Sequence, residues 1–437
     1  MACNHTYLQL EPSQFAELAG FEQPTVKERS AAESTTGKPP KTLPNRPISL
    51  FPGPLVIPHD DLNYDPDSSP QDCKEWLSMK SRNKMTDRTR KVLYVARVPQ
   101  ITKDVKFMHQ WTIPNVGTSS LVETPSPDAE LFAEYLKAFY HGMEARILPQ
   151  QLAWTPWEKS VRPSRRVSLP KYVGLTDADQ STTRIRVRCV PDKAFTAQLN
   201  LDDILDTAIA ILPADAYALV LLVDHDIYEN EDDDFCCGRA YGGSRVAVVQ
   251  TARYNPSLDV REGIDRAHTW PLSHCKSFVD QLCAVEDVVA RPPTNEQKKH
   301  SREGAMRAAV DAASKYAGSG DEKETRTFWF ARLARTVSHE LGHCFGIAHC
   351  FYYACNMQGT AGMKEDVRQP PYLCPVCEAK VGHAIVKELG NGRSAEKSTW
   401  VTQRCIAIRY FCQTLQDDGQ ATAMWMGLEA WLANRTE

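Results

Sequence analysis

His339-Glu340-Leu341-Gly342-His343-Cys344-Phe345-Gly346-Ile347-Ala348-His349 is the stretch on which the reading of this chain turns. Its pattern is H-E-x-x-H-x-x-G-x-x-H. On a helix, residues four apart lie on one face, so His339 and His343 can offer imidazole nitrogens to one metal ion. Glu340 projects beside them and can take a proton from a metal-bound water without being a ligand itself. Gly346 stands where the helix must stop, because glycine accepts the left-handed backbone that turns the chain back. His349 then returns as a third ligand, and three histidines plus water make an open catalytic zinc site. Three incidental histidines would not need the Glu, the Gly and the last His at these offsets.

A second pattern begins at the next residue. Cys350-x4-Cys355 is followed, after 18 residues, by Cys374-Pro375-Val376-Cys377. Four thiolates in two close pairs fit a closed, structural zinc site, so two Zn2+ ions per chain are expected. Two disulfides or buried free thiols are the alternatives; a reducing compartment favours metal. Cys344 falls outside this set, and its helical position suits packing as a small hydrophobe.

Together these residues carry a family resemblance. H-E-x-x-H-x-x-G-x-x-H-C-x4-C-x-M followed by C-x-x-C resembles the signature of the archaemetzincins, zinc metallopeptidases of the metzincin clan. The resemblance implies a metzincin-like α/β fold and aminopeptidase-like hydrolysis of small substrates. Met357 matches the methionine of the turn beneath the catalytic zinc; without the resemblance it reads as a buried core methionine. Some metzincins carry a tyrosine two residues past that methionine, where this chain has Gly359. Tyr372 could substitute, although a structural role is its plainer reading. Leu222-Val-Asp-His-Asp226-Ile-Tyr228, Phe235, Gly238, Val246 to Tyr254 and Phe51-Pro-Gly-Pro-Leu55 also resemble the family.

Outward from the motif, hydrophobic periodicity organises the chain. Phe330, Leu333, Val337 and Leu341 give the motif helix a buried stripe, with its start near Thr327. Val92–Ala96, Arg184–Val190, Tyr217–Val223 and Val246–Val249 read as strands, and 128–147, 201–212 and 304–317 as helices. This order predicts an α/β fold, with a mixed, mainly parallel sheet and helices after the cysteines at 381–389 and 400–433. Val246–Tyr254, if at the sheet edge, would pair with an extended peptide, making Val246 and Val248 substrate-binding candidates. Asp232, Asp233 and Asp234 belong to an acidic loop beside it. They could hold a peptide's α-ammonium, or simply be solvated.

Three regions follow. Residues 1–90 form a proline-rich extension, partly disordered, with 24–48 an extended arm. Residues 91–385 form the catalytic domain, interrupted by an insert at 255–325, and 386–437 a helical segment. The insert is longer than the connection usual in archaemetzincins. It holds His268, His274 and Cys275, whose spacing fits no zinc pattern, so structural roles are preferred. Arg165-Arg166-Val167-Ser168 resembles a basic-directed kinase site, a match common by chance.

Composition excludes several classes. With 51 Lys and Arg against 55 Asp and Glu, the net charge is −4, which implies no nucleic-acid partner. The longest apolar run, Ala218–Val223, is far short of the ~20 residues of a membrane helix. The first residues lack a secretory or mitochondrial pattern, and fourteen cysteines then imply thiols and metal ligands in the cytoplasm or nucleus. The expected function is hydrolysis of peptide bonds, on short peptides, with a zinc-bound water activated by Glu340. The alternatives are a zinc-stabilised binding or regulatory protein with little turnover, and a hydrolase of other amides. The sequence names no protein partner.

Overall fold

All eight residues of Ala216–Val223 are buried, and a strand apolar throughout needs cover on both faces. The structure, a computed structural model, describes residues 3, 5–67, 69–85, 89–116, 125–157, 169–318, 320–390 and 396–436. The kinase-like Arg165–Ser168 lies outside them. The chain forms two compact units, one of Asn83–Arg261 with Phe328–Gly346, the other of Met1–Arg82, Glu262–Thr327 and Ile347–Glu437.

The first unit holds β1 (Val92–Ala96), β2 (Gln100–Ile101), β3 (Glu144–Ile147), β4 (Ala153–Thr155), β5 (Tyr172–Thr176), β6 (Thr182–Cys189), β7 (Ala197–Asn200), β8 (Ala216–Val223), β9 (Asp226–Tyr228), β10 (Gly238–Tyr241) and β11 (Val246–Gln250). One sheet has the order β10-β11-β8-β1-β3. Its β3, β1, β8 and β11 run parallel and only β10 is antiparallel. This is the mixed, mainly parallel sheet that the sequence predicts.

One expectation is corrected here. Val246–Gln250 is not an edge strand, because it lies between β10 and β8, in register from Val246↔Leu219 to Gln250↔Val223. Its ladder groups are already paired, and Val246 and Val248 are fully buried, so neither can meet a peptide by strand addition. The edge next to it is β10, and the other is β3. A second sheet, β2-β4-β5-β6-β7-β9, is largely antiparallel. Buried Arg253 joins its β9 to the loop before β7, at 2.6 Å from both Asp226 Oδ2 and Asp192 Oδ2.

The stretch 128–147, expected as one helix, is helical only over Ala129–Phe139. Gly142, at φ 97°, then turns the chain into β3. The motif helix, Glu322–Cys344, begins before Thr327 because the Asp321 carboxylate accepts from Glu324 N–H at 2.7 Å. Its predicted stripe of Phe330, Leu333, Val337 and Leu341 is buried. Arg332 pairs with Asp259 at 2.7 and 2.9 Å. Ser338 accepts from Tyr140 Oη at its carbonyl, 2.6 Å away. Two buried polar anchors therefore fix this helix on its own unit.

The second unit is helical, with no strand among its described residues. The insert supplies Ala305–Ala313, which packs on Ala423–Thr436. Tyr372 stacks on Trp431, with ring centroids 4.1 Å apart. The stretch 24–48, read as an extended arm, contains the helix Val26–Ala32. Thr25 and Glu28 start it with a capping box, each side chain bonding the other's backbone N–H. Pro375–Gly382 runs into a π-helical stretch, His383–Leu389. Gly419, at φ 65°, lies between the last two helices, Glu396–Asp417 and Ala423–Thr436. Among the described residues no helix is long and apolar enough to cross a membrane.

Candidate active site and metal centres

His339 and His343 occupy successive turns of the motif helix, and their Nε2 atoms lie 3.0 Å apart. The helix ends as the sequence predicts. Gly346 adopts φ 78°, and its N–H closes on His343 O at 2.8 Å. The eleven motif residues run on unbroken to His349, which is exposed. Three histidines are the donor set of a zinc ion that keeps an open position.

Glu340 is buried on the same helix. Burial pushes its carboxyl up to about 8; the positive charge of Arg239 opposes the rise and Glu229 adds to it. The neighbour that makes room for it is Gly238, on edge strand β10. A Cβ there would lie 3.2 Å from both Glu340 Cγ and Oε1. Glu340 therefore packs against the first residue of β10.

His349 has a companion that sequence reasoning missed. Burial raises the Asp61 carboxyl while His349 pulls it down. The two side chains meet at Gly359, where a Cβ would run into Asp61 Oδ2 and lie 2.9 Å from His349 Nδ1. Asp61 and His349 Nδ1 thus share the space at Gly359, a placement suited to a carboxylate that orients the imidazole. Its own backbone is held by Glu365, whose Oε2 accepts from Asp61 N–H and Ala361 N–H at 2.8 Å. The same packing explains why position 359 carries no tyrosine. Tyr372 is no replacement, since it is enclosed among Phe51, Trp270 and Trp431.

Cys350, Cys355, Cys374 and Cys377 are all buried, with their sulfurs within 4.8 Å of one another. Cys350 Sγ and Cys374 Sγ are 3.5 Å apart, near the ~3.8 Å edge of a tetrahedron with zinc–sulfur bonds of ~2.3 Å. Backbone N–H groups of Met357 and Cys374 point at Cys355 Sγ, at 3.5 and 3.2 Å, a stabilising arrangement for a thiolate. Met357 is buried in this loop, and its carbonyl accepts from Cys350 N–H at 2.7 Å. Cys344 is fully buried, as a packing residue should be.

In the acidic loop, Asp233 turns inward. Its Oδ2 accepts from Asn230 N–H at 3.0 Å, and its carbonyl accepts from the Arg188 guanidinium. Asp232 and Asp234 are exposed. Of the three aspartates, these two keep exposed carboxylates.

A helix-borne histidine pair, a third histidine past a glycine turn and a neighbouring four-thiol cluster are the donor groups of a zinc-dependent peptidase. Residues 321–383, which hold every one of these ligands, match the model of Peptidase family M54. The chain is similar to archaemetzincins. It is 26% identical over 271 residues to archaemetzincin-2 of Macaca fascicularis, covering 61% of this chain and 63% of that one. It is 27% identical over 273 residues to archaemetzincin-2 of Homo sapiens, with the same coverage. The match thus spans less than two thirds of these relatives. The crystal structure of archaemetzincin from Methanopyrus kandleri aligns with 68% of this chain and 97% of its own, at 14% identity and a TM-score of 0.32.

Proposed function

We propose that this protein is a zinc-dependent metallopeptidase that hydrolyses short peptides, with His339, His343 and His349 as ligands and Glu340 as general base. The observation that carries the reading is the position of Glu340, buried one residue from His339 and against Gly238 on edge strand β10. Zinc held by the three histidines supplies a Lewis acid that makes a water acidic and polarises a carbonyl.

The chain's own groups do the rest. Edge strand β10 offers backbone N–H and C=O groups to an extended peptide. Gly238 lets the peptide's backbone come close to Glu340. The carboxylate takes a proton from the attacking water and returns it to the leaving amine. Because β10 has only four residues, it pairs with only a short segment. Asp232 and Asp234, in the loop before β10, add negative charge suited to a peptide's α-ammonium. Cys350, Cys355, Cys374 and Cys377 would hold a second, structural zinc. Thiolate ligation requires reduced cysteines, consistent with a cytoplasmic or nuclear setting.

The test is Glu340→Gln, assayed with a peptide library beside wild type. The variant should keep its zinc while turnover falls by ~10²–10⁴-fold, the usual share of general acid–base catalysis. Hydrolysis at the wild-type rate would overturn the assignment.

A further inference from the structure

Apart from the two centres above, the helical unit brings together four more metal-ligating side chains. Cys3, His5, His268 and Cys275 each place a donor atom within 4.8 Å of the other three. Cys275 is buried and the others are half-buried. Cys3 and Cys275 stand 272 positions apart in sequence, which is why spacing alone does not reveal the set.

Backbone pairing makes the meeting. Gln9 N–H donates to His274 O and Lys276 N–H to Tyr7 O, both at 2.9 Å, with Leu8 bridged antiparallel to Cys275. Arg307 Nη1 holds His5 O at 2.8 Å. Asp265 Oδ2 lies 2.6 Å from His268 Nδ1, and the ring lies flat on Phe278, with centroids 4.0 Å apart and planes 1° from parallel. One nitrogen of His268 is thus committed to a carboxylate, the arrangement that orients a metal-bound histidine. Its Nε2 is buried without a hydrogen-bond partner, and so is Nε2 of His5. Two orphaned nitrogens in one cluster are costly unless something binds them. A disulfide would not do so. The sulfurs of Cys3 and Cys275 are 3.0 Å apart, well beyond the ~2.05 Å bond, and joining them would leave both nitrogens unsatisfied.

We infer that Cys3, His5, His268 and Cys275 form a third metal site, a closed Cys2His2 site for Zn2+ that fastens the segment 3–9 to the segment 265–278. Two thiolates and two imidazoles are a tetrahedral donor set suited to zinc, and four protein donors leave no open position for a substrate. Both thiols release their protons to solvent on binding. The role is structural and independent of hydrolysis.

The experiment measures metal content of the full chain purified without chelator. Cys3→Ser/His5→Ala should hold one zinc fewer per chain than wild type, and the amides of Gln9 and Lys276 should exchange hydrogen faster. Asp265→Asn keeps all four donors, and keeps a side chain able to cap Ala267 N–H. In chelator competition it should weaken one zinc by about 10–100-fold. The inference is overturned if the double variant holds as much zinc as wild type. It is equally overturned if Asp265→Asn changes no affinity, or if peptide mapping finds Cys3 disulfide-bonded to Cys275. A loss of zinc through His343→Ala leaves this result untouched, so the two sites are read separately.

Discussion

Gly359→Ala tests the reading of Asp61 and His349 with a single methyl group. The added Cβ would overlap Asp61 Oδ2 and stand 2.9 Å from both Asp61 Cγ and His349 Nδ1. Ordinary contact begins near 3.5 Å, so the carboxylate, the imidazole or both must retreat by roughly 0.6–1.3 Å. Asp61 has little room to yield, because Glu365 holds its backbone at 2.8 Å. A metal-site geometry tolerates displacements of about 0.5 Å, and disturbing an orienting partner typically costs about 10–100-fold in metal affinity or activity. Zinc affinity of the histidine site should fall by that factor in competition with a chelator, while the four-cysteine zinc is retained. Gly362→Ala is the control. It adds the same methyl group where nothing lies within 4 Å, on extended backbone at φ 170°, and should be silent. If Gly359→Ala binds zinc as tightly as Gly362→Ala, Asp61 and His349 are not packed as described.

The two principal centres should separate by variant. His343→Ala should lose about one zinc and retain its thermal unfolding transition, whereas Cys374→Ser should lose another and unfold at lower temperature, since structural zinc contributes folding free energy directly. Elemental analysis with circular dichroism reads both, and equal melting of the two variants would refute the distinction. Asp232→Asn/Asp234→Asn should lower kcat/KM for free peptides more than for N-acetylated ones, with the gap narrowing as salt rises; an equal fall would remove the loop from substrate recognition. Burial disfavours ionised Asp192, but its hydrogen bond and charge pairing with Arg253 outweigh this, and the carboxyl sits below its ordinary range. Its stabilisation is therefore complete above the ordinary carboxylate pKa of ~3.9 and is lost as pH falls through the lowered value. In urea, Asp192→Asn should be less stable than wild type at pH 6 and approach it in acid; a gap that widens in acid would contradict the sign.

What the sequence reveals and what it hides follow one physical division. His339, Glu340, His343 and Gly346 are legible because a helix converts fixed spacing into a shared face, and a glycine can mark where it stops. Ala216–Val223 is legible because burial on both faces leaves an uninterrupted apolar run. Which strand forms the edge is hidden, because being an edge is a property of neighbours. Val246–Gln250 looks the same in sequence whether or not another strand pairs with it, and Gly238–Tyr241 is too short and mixed to announce itself. Two helix starts carry a local signal. Thr25-x-x-Glu28 starts a helix, and Asp321-x-x-Glu324 starts the motif helix early.

Asp61, Cys3 and His5 belong to a different category. No periodicity ties Asp61 to His349, and no spacing ties Cys3 to Cys275, because tertiary packing alone brings these partners together. Metal ligands that share a helix or a tight loop are encoded locally, whereas the carboxylates that orient them can come from anywhere in the chain. Asp265 lies three residues from His268, and its partnership could have been found as a local turn pair. Asp61 lies 288 positions before His349 and could not. The residues that tune this site are consequently the last to be read from sequence, although Gly359 left one trace. A glycine where related sites carry a large side chain means that something else occupies the space, and here that occupant is the pair Asp61 and His349.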